Sequence, residues 1–367
     1  MGTRETPKYM QLRDEIMVSL QAGRWKPNEQ MPSEHELAAK YEMSRQTVRQ
    51  ALGELEKDGW LYRLQGKGTF VSPRTGTRPQ REVQTVGMIT TYISDYIFPH
   101  IVRGAEAVLR SRGYGLLLSS TDNDKARETQ SLRMMLGQPL SGLIVEPTKS
   151  AQGNPNLPEY LNLQDHMVPF LMINERYPDL DCPCLKVDDE AGGFKAAEHL
   201  IQLGHRKIAG FFKTDDLQGT NRMKGFVRAH RHYQVPMTPD AVTFYTSEEK
   251  AAKPVETAKA MLSRPDRPTA FVCYNDELAL TLLGTVRELG LSVPDDLSMI
   301  GFDDSTLAVA SEVKLTTLTH PKTEMGAAAA ELLLDLIEGR RTMPAEDILY
   351  EPELIIREST KEPQLVL

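Results

Sequence analysis

The chain has 367 residues, 40% hydrophobic and 26% charged, with a formal net charge of −8 and three cysteines. That length implies two or three domains. No apolar run approaches the roughly 20 residues that span a bilayer, and "MGTRETPKYMQLRDE" lacks the apolar core of a secretory signal. Cys182, Cys184 and Cys273 make neither a disulfide framework nor a metal set at finger-like spacing, so they read as ordinary thiols of a cytoplasmic protein with no metal site. The charge is uneven: residues 1–84 hold fourteen Lys and Arg against eleven acids, a balance of +3, which leaves −11 for the rest. An acidic remainder repels nucleic acid and confines any such contact to the N-terminal part.

Tyr9, Leu12, Ile16 and Leu20 share one apolar stripe, which predicts a first helix ending at Gly23. Pro32-Ser33 opens a second helix, with Ser33 and Glu36 spaced as a capping box. Ser44 stands where it can cap a third, whose buried stripe is Val48, Leu52 and Leu55. "WLYRLQGKGTFV" then alternates about Gly66-Lys67-Gly68 as a hairpin. Three helices and a hairpin make a winged helix-turn-helix, whose recognition helix presents its N-terminal residues to base edges in the major groove. Arg45, Gln46 and Arg49 stand there; Arg can fork onto guanine and Gln onto adenine. Glycines at the wing tip let backbone approach a phosphate or the minor groove closely.

By "PSEHELAAKYEMSRQTVRQALGELEKDG" and "GKGTFV", residues 7–71 resemble the DNA-binding domain of the gluconate-repressor (GntR) family. The resemblance implies that Arg45, Arg49, Gln65 and Gly66 contact bases or grooves. It places Ser33, Glu34, Ser44, Thr47, Lys67 and Thr69 at phosphates, with Lys8 a further backbone contact. Glu34 reads equally well as a residue of the helix cap.

The organisation expected is a DNA-binding domain over 1–71, a linker over 72–84 and an effector-binding and dimerisation domain over 85–367. The linker, "SPRTGTRPQREVQ", is almost without apolar residues. Beyond it, short apolar runs alternate with helical segments: "VGMITTYI", "FPHIVRGAEAVLRSRGY", "GLLLSST", a polar helix from Asp124 to Leu136, "GLIVEP", a helix near Tyr160 and "PFLMIN". The second half repeats the theme through "KIAGFFK", "NRMKGFVRAHRHY", "AVTFYT", "TAFVCYND", "ELALTLLGTVRELG" and "SMIGFDD". Strands separated by helices build parallel sheets, here two doubly wound lobes of about five units each. Ligands bind beyond the carboxyl ends of such strands. Those ends carry Tyr92 to Tyr96, Glu146, Asn174, Lys213 to Asp215, Asn275-Asp276 and Asp303-Asp304. Acids and amides accept hydroxyl protons and aromatic rings cover a C–H face, so the set suits a neutral polyol.

"AAEHLIQLGHRKIAGF", "NRMKGF", "YNDELALTLLGTVRELGLSVPDDLSMIGFDD" and "MGAAAAELLLDLIEG" resemble the effector domain of the lactose/galactose-repressor (LacI/GalR) family, itself related to periplasmic sugar-binding proteins. The resemblance implies a periplasmic-binding-protein-like α/β domain in which Arg222, Asp303 and Asn275 contact the ligand. Further stretches, "TYISDYIFPHIVRGAE", "GLIVEPTKSA" and "QGTNRMKGF", are similar to the repressors of arabinose operons. That similarity implies L-arabinose as inducer, double-stranded operator DNA and a homodimer as partners, and no cofactor. Tyr92, Tyr96, Glu146 and Lys149 complete the expected effector set, with Glu146 and Lys149 as candidates for tailoring the pocket.

The wider LacI/GalR family joins head to body through a short minor-groove helix with an apolar wedge, and residues 72–84 carry no such wedge. Three rivals remain. An enzyme is disfavoured by the absence of "GxxxxGK[ST]", "GxSxG" and "HExxH", and His199, among Leu200, Ile201 and Leu203, reads as structural. A sugar-binding protein without a DNA role has no use for residues 1–84. A corepressor in place of an inducer is open on physical grounds.

Overall fold

The computed structural model describes residues 7–21, 24–64, 67–72, 84–342 and 346–364, in two units, Met1–Val83 and Gln84–Leu367. The expected wing-tip residues Gln65 and Gly66, most of the linker and the end of the first helix at Gly23 lie outside the described residues.

Unit 1 is built from α1 (Lys8–Gln21), α2 (Glu34–Lys40), α3 (Arg45–Lys57), β1 (Leu61–Leu64) and β2 (Gly68–Val71). Its core gathers the stripes read from the sequence, Leu12, Ile16 and Leu20 with Leu37, Val48, Leu52 and Leu55, and closes them with Met31, Trp60 and Val71. Ser33 caps α2: its Oγ accepts from Glu36 N at 3.2 Å while Glu36 Oε2 accepts from Ser33 N at 2.7 Å. Ser44 Oγ accepts from Thr47 N at 3.1 Å and starts α3. β1 and β2 pair antiparallel with Leu64 opposite Gly68. Gly68 has φ +113°, a conformation that side chains rarely adopt.

Unit 2 begins with β3 (Thr85–Thr90), α4 (Phe98–Ser111), β4 (Gly115–Ser120), α5 (Lys125–Leu136), β5 (Leu140–Val145), α6 (Leu157–Asp165), β6 (Phe170–Ile173) and β7 (Cys184–Val187). The chain then crosses to a second lobe of α7 (Asp189–Gln202), β8 (Ile208–Lys213), α8 (Leu217–His232), β9 (Val242–Tyr245), α9 (Lys253–Leu262), β10 (Ala270–Cys273), α10 (Asp276–Glu288), β11 (Ser298–Asp303), α11 (Thr306–Ala310) and β12 (Thr316–Thr319). It returns to the first lobe for α12 (Lys322–Ile337) and β13 (Ile348–Tyr350), and ends in the second with β14 (Leu354–Ile355). Among the described residues the sheets run β13-β7-β6-β5-β3-β4 and β14-β12-β11-β10-β8-β9, parallel throughout except for β12 against β14. The lobes are therefore not the two halves of the sequence. α12 lays Met325, Ala329, Ala330 and Leu333 on the first lobe's sheet, beside Ile101 and Ala105 of α4.

Two helix pairs close with glycine on both sides. A Cβ on Gly104 of α4 would strike the Thr323 carbonyl, and one on Gly326 of α12 the Ile101 carbonyl. In the second lobe Gly193 of α7 meets the Arg222 carbonyl of α8, and Gly225 meets that of Glu190. The contact of Gly193 with the Arg222 carbonyl sets the position of Arg222. Gly193→Ala is therefore expected to push α8 outward and cost about 1–3 kcal/mol by overpacking. A lowered denaturation midpoint together with weakened effector binding is the expected result; an unchanged midpoint would show that the helices can part freely.

Candidate DNA-binding face and effector cleft

On unit 1, Arg45, Gln46 and Arg49 are exposed on the first turns of α3, while Val48, Ala51, Leu52 and Leu55 face the core. Lys8, Ser33, Ser44 and Lys67 are exposed, and Thr47 and Thr69 are half-buried. The wing is tied to the chain entering α2 by Met31 N donating to Thr69 O at 2.8 Å and by Gln30 Nε2 donating to Lys67 O at 2.7 Å.

Glu34 is the first residue of α2, and Ser33 is the cap. The Glu34 carboxylate accepts from Arg49 Nε at 3.1 Å and Nη2 at 2.9 Å, and from Arg63 Nη2 at 3.3 Å. The bond from Arg49 holds its pKa below the ordinary value. The fork fixes Arg49 across the helix-turn-helix, a long-range pairing that no local spacing announces.

In unit 2 the two lobes enclose a cavity of about 880 Å³ at the carboxyl ends of their strands. The first lobe contributes Tyr92, Tyr96, Glu146, Lys149 and Asn174; the second contributes Lys213, Arg222, Tyr274, Asn275 and Asp303. Tyr92, Tyr96, Glu146, Lys149, Arg222, Asn275 and Asp303 therefore all line this one cavity, whereas Thr214, Asp215, Asp276 and Asp304 of the strand ends do not. Tyr96, Lys149, Asn174, Asp303 and Asp304 have φ between +42° and +90°, at about 1–3 kcal/mol each for a non-glycine residue. Asn174 directly follows β6, and Asp303 and Asp304 stand at the end of β11, where such turns redirect the chain. Those at Asp303 and Asp304 are held from outside: Lys322 Nζ donates to their carbonyls at 2.6 and 2.9 Å, and Arg357 Nη2 to Asp304 Oδ1 at 2.5 Å.

Arg222 is the centre of the second lobe's wall. Its Nε donates to Asp189 Oδ1 at 2.7 Å, Nη1 to Tyr274 O at 2.6 Å and Nη2 to Asp303 Oδ1 at 3.0 Å. The guanidinium lies 4.4 Å from the Phe302 ring centroid and 5.0 Å from that of Tyr274. Burial disfavours its charge, but Asp189 and Asp303 outweigh burial and raise its pKa. Lys213 Nζ pairs with Asp216 Oδ2 at 3.0 Å, and Tyr274 OH donates to the same oxygen at 2.7 Å. Asn275 caps α10, accepting from Leu278 N at 2.9 Å.

Across the cleft, Glu146 accepts from Thr91 N at 2.8 Å, Thr91 Oγ1 at 2.6 Å and Asn174 Nδ2 at 2.8 Å. Burial raises its pKa, and these donors together with Lys213 work against that rise. Asn174 Oδ1 accepts from His320 Nε2 at 3.0 Å, and burial brings His320 down to about 4, a neutral ring. Lys149, expected at the ligand, pairs with Glu248 of the other lobe.

Asp189, Tyr274 and Asp216 were not among the expected contacts. Asp189 follows β7, whose short "CLKV" is interrupted by a lysine and gives little strand signal. His199 accords with its structural reading, its Nε2 being 3.1 Å from Thr360 Oγ1. The three cysteines are buried, and burial pushes the Cys182 thiol up to about 12. Among the described residues no helix is long and apolar enough to cross a membrane.

Residues 8–71 match the family described as bacterial regulatory proteins, gntR family, and residues 197–360 match the periplasmic binding protein-like domain. The second domain resembles a LacI family transcriptional regulator from Enterococcus faecium solved with bound ribose, at a TM-score of 0.67 and 26% identity, over 77% of this chain and 100% of that one. A winged helix-turn-helix of that family on one chain with a periplasmic binding protein-like domain defines the class of DNA-binding transcriptional regulators, which are not enzymes. Over its full length the chain is similar to an arabinose metabolism transcriptional repressor of Geobacillus stearothermophilus, 59% identical over 99% of this chain and 100% of the relative. A second, from Halalkalibacterium halodurans, is 46% identical over 97% of each. The chain belongs to the family of arabinose metabolism transcriptional repressors.

Proposed function

We propose that this repressor acts in the cytoplasm, binds operator DNA of arabinose-utilisation genes as a homodimer, and is released when L-arabinose closes the cleft of unit 2. The observation that carries this reading is the buried Arg222, held between Asp189 and Asp303 at the wall of an interlobe cavity rich in hydroxyl acceptors. Arg222 and Asp303 together offer a donor and an acceptor to vicinal hydroxyls. Glu146 faces them from the other lobe, Asn275 stands on their own lobe, Lys149 completes the rim, and Tyr92 covers the sugar's C–H face. Tyr96 closes the edge of the same cavity.

At the DNA, Arg45, Gln46 and Arg49 read bases from α3, and Gln65 and Gly66 enter a groove from the wing. Lys8, Ser33, Ser44, Thr47, Lys67 and Thr69 fix the backbone. Glu34 is an anion and acts through the arginines it holds, not on phosphate directly. Coupling runs through geometry: closure moves the two linkers of a dimer until both heads no longer reach their half-sites together. The gain from effective concentration is then lost. Allosteric couplings of about 1–3 kcal/mol suffice for substantial release.

Fluorescence anisotropy on arabinose-operon promoter DNA tests this at fixed salt, since phosphate contacts make affinity fall steeply with salt. Titration with L-arabinose, then xylose, ribose and galactose, is expected to release DNA with arabinose alone. Tight DNA binding indifferent to arabinose would overturn the effector, and tighter binding with sugar would make it a corepressor.

A further inference from the structure

We propose that Tyr96 is the latch that holds the two lobes of the effector unit closed, a positioning residue that sets how long the sugar stays bound. The inference rests on the sugar-cleft reading above and adds how closure is held. Tyr96 belongs to the first lobe, in the turn between β3 and α4, with φ +57°. Its side chain reaches into the second lobe. The hydroxyl donates to Phe302 O of β11 at 2.9 Å and accepts from the backbone N–H of Asp276, the first residue of α10, at 3.1 Å. The first N–H groups of a helix have no partner within it, so Tyr96 satisfies a donor that the second lobe leaves open.

Both groups it grips are adjacent to proposed sugar contacts. Asp276 follows Asn275, and Phe302 precedes Asp303 and places its ring on the Arg222 guanidinium. A first-lobe side chain is thus bonded to the end of β11 and the start of α10, beside Asp303 and Asn275. Elsewhere on the rim, Asn123 Nδ2 donates to Ser247 Oγ at 2.6 Å and Lys149 pairs with Glu248, so the lobes are also joined away from Tyr96. Tyr96 differs from these in gripping two backbone groups, with the Asp303 carboxylate also beside its hydroxyl. Removing one oxygen deletes both backbone bonds and keeps the ring at the edge of the cavity. Opening the lobes breaks both bonds, so they stabilise only the closed form, the form that encloses a ligand.

Tyr96→Phe in the full-length chain is the test. Two hydrogen bonds lost from the closed state alone are expected to weaken arabinose binding by about tenfold. Most of the change should fall on the dissociation rate, read by calorimetry and stopped-flow. DNA affinity without sugar should be no weaker than the wild type's, since the latch favours only the closed, DNA-releasing form, and the arabinose concentration for half-release should rise by the same factor. A wild-type dissociation constant would overturn the latch. Tighter binding would overturn it too, showing that the phenol occupies the place of a sugar hydroxyl. If the wild type binds none of the pentoses, the effector reading fails and the latch is judged without ligand. Amide exchange at Asp276 should then be faster in Tyr96→Phe than in the wild type, and equal exchange would overturn the latch.

Discussion

Arg222→Ala is expected to destabilise the effector unit by about 3–5 kcal/mol, because it strands two buried carboxylates. From the sequence alone this variant reads as one blind to sugar but otherwise sound. Its burial and partners change that expectation. Arg222 is 2% exposed, bridges Asp189 and Asp303, and lies against Phe302 and Tyr274. Desolvation lifts the Asp189 carboxyl to about 7 even with Arg222 beside it. Without the arginine it can stay buried only by taking up a proton. Denaturant unfolding of the full chain should show an early transition for the effector unit, with the arabinose response lost. Arg222→Lys keeps a charge but not the three-way fork, so it should recover part of the stability and little of the response. A stable Arg222→Ala protein that releases DNA at the wild-type arabinose concentration would remove Arg222 from the site.

The second large effect is expected on the head. Arg45→Ala and Arg49→Ala should each cost about 1–3 kcal/mol of operator affinity while leaving arabinose binding intact. The two differ in what they leave behind. Arg45 is exposed at the start of α3, and its loss removes a contact and little else. Arg49 is the main partner of Glu34, whose remaining cation at bonding distance is Arg63 at 3.3 Å. Its loss also exposes a carboxylate beside the DNA-facing helix, which repels phosphate. Arg49→Ala should therefore weaken binding to all sequences as well as the preferred one, whereas Arg45→Ala should mainly relax preference at one position. Anisotropy on operator and scrambled duplexes, at matched salt, separates the two. Normal operator binding by both variants would move base reading off α3.

The elements of unit 1 were legible in the sequence because their signals are local. A capping box spans three residues, an apolar stripe repeats every turn, and a glycine-spaced hairpin pairs near neighbours, so Ser33, Glu36, Ser44, Val48 and Leu52 stand in the structure as their spacing implies. The strand ends of unit 2 were legible for a related reason. Each apolar run stops at a polar residue, and a parallel sheet brings all such ends to one edge, which is why Glu146, Asn174, Asn275 and Asp303 line one cavity. What the tertiary structure alone decided are the pairings between distant segments. α12 lies in the second half of the sequence, yet it packs on the first lobe. Asp189 follows a strand whose apolar run is broken by Lys186 and becomes the anchor of Arg222, 33 positions away. Glu34 finds Arg49, and Tyr96 reaches Phe302 across the cleft. Periodicity reports which face of an element is buried; it carries no record of which other element covers that face, because that choice is made by shape and charge over the whole assembled domain.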